Sequence, residues 1–168
     1  GQTGFSIVFD HPTNSGLDSD EEVAEGFVDR EGTAIDTLQD MRDLLKDVDM
    51  EKGGINIIAL HPALLAMVVA VAEERGVDLR NLSGTLQNYP MIGHTMGSSS
   101  DRYGATKFYS KRFCIDIVEY CARNLPRWNS VSVAVRNTRE AGCNAVQEIA
   151  FGIGPALAII KGCRERGI

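Results

Sequence analysis

Apolar positions along the chain fall into short β-branched runs that alternate with longer stretches where they recur every three or four residues. Those two periods predict strands followed by helices. Phe5 to Phe9 is the first strand-like run, closed by Asp10, His11 and Pro12. Thr13 to Gly32 is acidic, polar and punctuated by glycine, and reads as a long loop. Asp36, with Gln39 three residues on, is expected to cap a helix that carries Leu38, Met41, Leu45 and Val48 on one face.

Ile55 to Leu60 is a second strand, and His61-Pro62 opens an apolar helix that stops at Gly76. Leu82 to Leu86 is a third, weaker strand, followed by a Gly- and Ser-rich loop from Gly93 to Gly104. Cys114, Ile117, Cys121 and Leu125 form the stripe of a helix around Lys107 to Asn124, closed by Pro126. Val131 to Val135 returns to β-branched residues, and a last helix starts near Glu140. Gly152, Gly154 and Pro155 are expected to kink or break that helix, because proline lacks the N–H and crowds the preceding turn. Strand-then-helix alternation argues for parallel strands joined by right-handed crossovers. The predicted fold class is therefore α/β, with parallel (β/α) units forming roughly half of a TIM (β/α)8 barrel.

With 168 residues, 43% of them hydrophobic and 24% charged, the chain fits one soluble domain. Seventeen Lys and Arg against 23 Asp and Glu leave a net charge of −6, which opposes binding to a phosphate backbone. Nucleic acid is not an expected partner. Pro62 to Ala72, read as the longest apolar run, falls short of the ~20 residues that cross a bilayer, so no membrane span or signal peptide is expected. Cys114, Cys121, Cys143 and Cys163 contain no C-x-x-C pair, which points to a reducing, cytoplasmic setting. Cys114 and Cys121 read as core residues.

In parallel α/β folds ligands gather at the carboxyl ends of the strands. The residues there are Asp10, His11 and Thr13, then His61, then Thr85, Gln87 and Asn88, then Arg136, Asn137 and Arg139. Such a set binds a neutral or anionic small molecule but contains no Ser-His-Asp or Cys-His pairing, so hydrolytic catalysis is excluded. His11 and His61 precede prolines and read as turn or N-cap residues rather than metal ligands. Asp18, Asp20, Glu21 and Glu22 read as a solvated loop, and Gly97 to Ser100 lacks the lysine of a phosphate-binding loop. Trp128 reads as a packing anchor. Arg136, at the end of the expected fourth strand, would point into the barrel mouth and grip a carboxylate or phosphate, or else pair with Glu140 or Glu148.

Several ordered stretches are more specific. They are Gly1-Gln2-Thr3-Gly4-Phe5-Ser6 through Phe9-Asp10-His11-Pro12-Thr13, Gly16-Leu17-Asp18-Ser19-Asp20, and Gly32-Thr33-Ala34-Ile35-Asp36. Leu82-Ser83-Gly84-Thr85-Leu86-Gln87-Asn88, Pro126-Arg127-Trp128-Asn129 and Arg139-Glu140-Ala141-Gly142 follow. In this order and spacing the chain resembles the substrate-binding barrel of the adenosylcobalamin-dependent acyl-CoA mutases. The likeness runs over nearly the whole length, with a short deletion near Ile55 to His61 and a short insertion within Ser98 to Lys107.

The resemblance implies a (β/α)8 barrel whose bore admits a CoA thioester, capped by cobalamin on a separate domain or subunit. It implies radical rearrangement of an acyl-CoA carbon skeleton, in which the protein positions the substrate and excludes water. By position, Ser6, Thr85 and Gln87 match residues that contact the acyl-CoA, and Phe9 and Glu31 fall where the family approaches the corrin. The family's usual Tyr-His pair is replaced by Arg136-Asn137, which become the candidate catalytic positions. Gly97 stands in place of an arginine, and Tyr89-Pro90 in place of Asp-Ile. The family's upstream CoA-binding strand, second half-barrel and D-x-H-x-x-G cobalamin module have no counterpart here. Activity is therefore expected only within a larger chain or a homo- or hetero-oligomer. A catalytically silent partner subunit and a CoA-thioester binding module are the alternatives.

Overall fold

Alternation in Phe5-Ser6-Ile7-Val8 and Ile55-Asn56-Ile57-Ile58 buries every second side chain, as strands with one covered face require. The computed structural model describes residues 3–59, 62–87 and 111–168, apart from the side chain of Asn137. Its strands are β1 (Gly4–Val8), β2 (Gly54–Ile58), β3 (Ser83–Leu86) and β4 (Trp128–Asn129). They form one sheet in the order β1-β2-β3-β4. All three pairings are parallel, as the alternation of strands and helices predicts.

The helices are α1 (His11–Ser15), α2 (Leu38–Leu45), α3 (Pro62–Glu74), α4 (Lys111–Asn124), α5 (Arg136–Glu140) and α6 (Ala145–Glu165). Helix α3 stops at Gly76, whose φ of 69° lets its N–H and that of Val77 turn back onto Glu73 and Ala72. The main core lies between the sheet and the helices. Ile7, Phe9, Ile55, Ile57, Leu86 and Trp128 meet Met41, Leu45, Leu64, Val68, Ile117 and Cys121 there. A smaller cluster of Cys114, Ile115, Ile159 and Cys163 joins α4 to α6.

Four expectations change. The stretch from Thr13 to Gly32 is not loop throughout: α1 extends into it, and Glu22–Ala24 forms a 3-10 turn. Helix α2 is capped by Thr37 and Asp40 in a reciprocal capping box, one residue later than Asp36 and Gln39. The fourth strand is Trp128–Asn129 rather than Val131–Val135. Pairing with β3 ends at Thr85 and Asn129, and β-branched residues beyond that level have no strand to pair with among the described residues. Helix α6 runs unbroken through Pro155. One lost N–H is outweighed by the turns on either side, and Gly152 and Gly162 seat the helix so closely that a Cβ would lie 2.9 Å from Val135 and 2.2 Å from Ile115.

Helix α6, 21 residues long, is also long and apolar enough by length and composition to cross a membrane, which Pro62 to Ala72 is not. His61, Asn88, the Gly93 to Gly104 loop with Gly97, Tyr89-Pro90 and residues 107–110 of the expected fourth helix lie outside the described residues.

Candidate functional site

Register builds one feature that no single strand contains. Ser6 pairs with Asn56, Asn56 with Thr85, and Thr85 with Asn129, so four polar side chains cross the sheet at one level. They stand on the face opposite the core residues Ile7, Ile57 and Leu86, because neighbours along a strand point to opposite sides. Within the row, the Asn56 amide donates to Ser6 Oγ at 3.4 Å, and the Asn129 amide donates to Thr85 Oγ1 at 3.3 Å. Ser6, Asn56 and Asn129 are exposed, so the row is open to a ligand.

One pleat toward the carboxyl ends, Val8, Ile58 and Gln87 share this face, and the backbone N–H of Gln87 donates to the Ile57 carbonyl at 3.0 Å. The surface combines hydroxyls and primary amides with aliphatic side chains. Such groups bind a neutral, amide- and carbonyl-rich chain by donating and accepting hydrogen bonds, and none of them moves protons near neutral pH.

At the carboxyl end of β1 the rim is built around Asp10, which is fully buried. One carboxylate oxygen accepts the Thr13 N–H at 3.0 Å and the other accepts the Asp29 N–H at 2.8 Å. Thr33 adds to the outer edge of β1, its N–H donating to Val8 O at 2.9 Å and its carbonyl accepting from Asp10 N at 3.2 Å. Gly32 lies so near Phe9 that a Cβ would come within 2.3 Å of the Phe9 carbonyl carbon. Asp29 and Glu31 flank this approach with φ of 55° and 72°, a region that non-glycine residues seldom occupy.

Of the sequence-predicted site residues, Ser6, Thr85 and Gln87 share the open face. Glu31 is exposed on the rim loop, whereas Phe9 is 2% exposed and turned into the helix-side core, so its ring does not line the rim. Arg136 is not at a strand end but opens α5, seven positions past Asn129. Its side chain is 86% exposed, and the guanidinium pairs with Glu140 at 2.8 Å, the intramolecular alternative to a ligand that the sequence offers. The side chain of Asn137 lies outside the described residues. His11 contacts Ser15 Oγ through Nδ1 at 3.0 Å and stacks obliquely on Phe27.

Sequence reasoning missed Asn56, and it read Asn129 as preceding a strand rather than lying in one. The signal for Asn56 was a polar residue at the centre of an apolar run, out of keeping with full burial. Burial pushes the Cys114 and Cys121 thiols up to about 12, so they are packing groups rather than nucleophiles. Among the described residues no cluster of three His, Cys, Asp or Glu could hold a metal ion.

A family model described as methylmalonyl-CoA mutase matches residues 1–168. The large subunit of 2-hydroxyisobutanoyl-CoA mutase from Aquincola tertiaricarbonis is 40% identical over 171 residues, covering 100% of this chain and 30% of that protein. Ethylmalonyl-CoA mutase from Cereibacter sphaeroides is 38% identical, with 99% of this chain and 25% of that protein covered. Methylmalonyl-CoA mutase from Escherichia coli is 34% identical, with 100% of this chain and 23% of that protein covered. The chain thus spans 23% to 30% of the length of these relatives.

Proposed function

The chain belongs to the methylmalonyl-CoA mutase family, and from that premise we propose that it is part of the substrate barrel of a cobalamin-dependent acyl-CoA mutase. The observation that carries this reading is the row Ser6, Asn56, Thr85 and Asn129 on the uncovered face of an all-parallel sheet. Parallel sheets are covered on both faces, and a polar inner face is best covered by closing as a (β/α)8 barrel around a ligand. The four strands would make half of it.

The ligand is an acyl-CoA thioester. The amides along its CoA arm and its thioester carbonyl match the hydroxyls and primary amides of Ser6, Asn56, Thr85, Gln87 and Asn129, while Val8 and Ile58 meet its methylene groups. Relatives named for methylmalonyl-CoA, ethylmalonyl-CoA and 2-hydroxyisobutanoyl-CoA support a carbon-skeleton isomerase. The absence of proton-transfer groups from the row suits such chemistry, where the protein orients the substrate and keeps water out.

Adenosylcobalamin, when bound, supplies the radical that starts the rearrangement. Of the two residues that the resemblance places near it, Phe9 is buried in the core and only Glu31 is exposed. The cofactor would come on a separate domain or subunit, with Glu31 on the nearest rim. A cytoplasmic setting agrees with the four free cysteines.

A second reading has a specific observation in its favour. Arg136, standing at the family's Tyr-His position, is tied to Glu140 rather than turned to the open face. A catalytically silent partner subunit, or a CoA-thioester binding module, would tolerate that. An anaerobic UV–visible spectrum separates the readings. The chain is combined with its cobalamin-bearing domain and adenosylcobalamin, then given methylmalonyl-, ethylmalonyl- and 2-hydroxyisobutanoyl-CoA in turn. A cob(II)alamin signature with one thioester supports the mutase, whereas thioester binding with an unchanged spectrum supports the silent subunit.

A further inference from the structure

Of the four cysteines, only Cys114 and Cys163 share a buried cluster, where Ile115 and Ile159 complete the seam between α4 and α6. Packed helices normally lie about 8–10 Å apart, too far for most cysteine pairs on them to bridge, because a disulfide needs Cα atoms within about 6.8 Å of each other. Gly162 narrows that gap. A Cβ on it would lie 2.2 Å from Ile115 Cδ1 and 3.3 Å from Lys111 Cε, so the α6 backbone rests directly on α4 side chains. Cys163 and Cys114 are the chain neighbours of these two touching residues, Gly162 and Ile115. One turn further along α6, the Arg166 guanidinium pairs with Asp116 and, at 3.2 Å, with Glu119, which fixes the register of the two helices.

The two thiols differ in what reaches them. Cys114 is 1% exposed and Cys163 8% exposed. Burial holds the Cys114 thiol at about 12, with the neighbouring Cys163 adding to the rise. Burial raises Cys163 as well, and there the Arg166 cation opposes the rise. A nearby cation favours the reactive thiolate, so Cys163 is the member of the pair that meets a small oxidant first.

We propose that Cys114 and Cys163 are a redox-sensitive pair, which hydrogen peroxide converts into a disulfide between α4 and α6. The Cys163 thiolate sulfur attacks a peroxide oxygen and the O–O bond breaks. Cys163 becomes a sulfenic acid, and the leaving hydroxide takes up a proton as water. The Cys114 sulfur then attacks Cys163 Sγ, the S–O bond breaks, and the departing hydroxide takes the Cys114 proton as a second water. Two thiols together give up two electrons, and one peroxide is reduced to two waters. Cys114 needs no access to solvent, because the sulfur it attacks belongs to its own cluster. The bridge closes the stretch that contains β4 and α5 and so restrains the edge of the sheet. The pair does not depend on what the polar row binds.

The test uses the full-length natural protein, first reduced and then treated with hydrogen peroxide at neutral pH. Peptide mapping without reductant recovers Cys114 joined to Cys163. Amide exchange followed by mass spectrometry slows in α6 by about tenfold or more, and dithiothreitol restores it. Cys114→Ser leaves a Cys163 sulfenic acid that dimedone traps, whereas Cys163→Ser leaves Cys114 reduced, and neither variant shows the slowed exchange. Cys143→Ser keeps both the bridge and the slowing. Should a serine variant fail to fold, Cys114→Ala or Cys163→Ala takes its place. Three results overturn the inference: both thiols still reduced after peroxide, a bridge that uses Cys121 or Cys143 instead, or a Cys163 oxidised past the sulfenic acid beside a reduced Cys114.

Discussion

The carboxylate of Asp10 reaches across 19 residues to accept the backbone N–H of Asp29 at 2.8 Å, while its other oxygen caps Thr13. This side chain ties the carboxyl end of β1 to the loop that carries Glu31. Asp10→Asn replaces one acceptor oxygen with a donor and leaves a buried N–H facing an amide. Hydrogen bonds to a charged group contribute about 1.5–3 kcal/mol each, so the variant is expected to lose about 2–3 kcal/mol in urea unfolding. A loss below about 0.5 kcal/mol, the range of ordinary surface changes, would show that the tie contributes nothing to stability.

Two glycines are expected to respond in opposite directions to alanine. A Cβ at Gly84 would lie 1.9 Å from the Ile55 carbonyl oxygen and 2.7 Å from the Trp128 ring, so β2, β3 and the tryptophan must move apart. Overpacking of this kind costs about 3 kcal/mol or more when backbone has to shift. At Gly154, within α6, nothing lies within 4 Å of the added atom, and alanine gains about 0.5–1 kcal/mol of helix propensity. Thermal melts of the two variants would contradict this packing if Gly84→Ala were neutral or Gly154→Ala destabilised the fold.

The buried thiols give the pH dependence its sign. Cys114 and Cys121 are held neutral up to about 12 by burial, whereas an unfolded thiol ionises near about 8.5. The folded state therefore holds these protons more tightly than the unfolded state. Their contribution is complete below the unfolded value and is lost as pH rises above it. Stability should fall from pH 8 to pH 10, and replacing both cysteines by alanine should flatten that slope. A slope unchanged in the double variant would place its origin elsewhere. Below pH 8 a disulfide reagent should modify Cys143, which is partly exposed, well before Cys114 or Cys121.

Where local pattern decides structure, the sequence was readable. The two-residue alternation of β1 and β2 and the stripe Cys114, Ile117, Cys121 and Leu125 both correspond to buried faces. Where a distant partner decides, it was not. Asp36 has a good capping side chain, but its carboxylate is taken by the N–H and hydroxyl of Ser19 at 3.1 and 3.0 Å, which leaves Thr37 to cap α2. Val131 to Val135 has the composition of a strand without a neighbour to pair with among the described residues, and Pro155 lies inside a helix that continues for several turns on either side of it.

The site divides in the same way. Ser6, Thr85 and Gln87 were legible from ordered motifs, whereas Asn56 and Asn129 become part of the row only through register. The β-branched run Val131 to Val135 suggests a strand that would end at Arg136, whereas a helix turn begins there and sets its ion pair with Glu140.

The proposed binding of an acyl-CoA to the open polar row has a quantitative consequence. Its most direct test is calorimetric titration of the thioesters named above into the 168-residue chain, repeated with Asn56→Leu/Asn129→Leu. Two lost hydrogen bonds of about 1 kcal/mol each correspond to an affinity about 30-fold weaker. A loss of about that size with unchanged circular dichroism is expected. Equal affinities in the two proteins, or no binding to either, would contradict it.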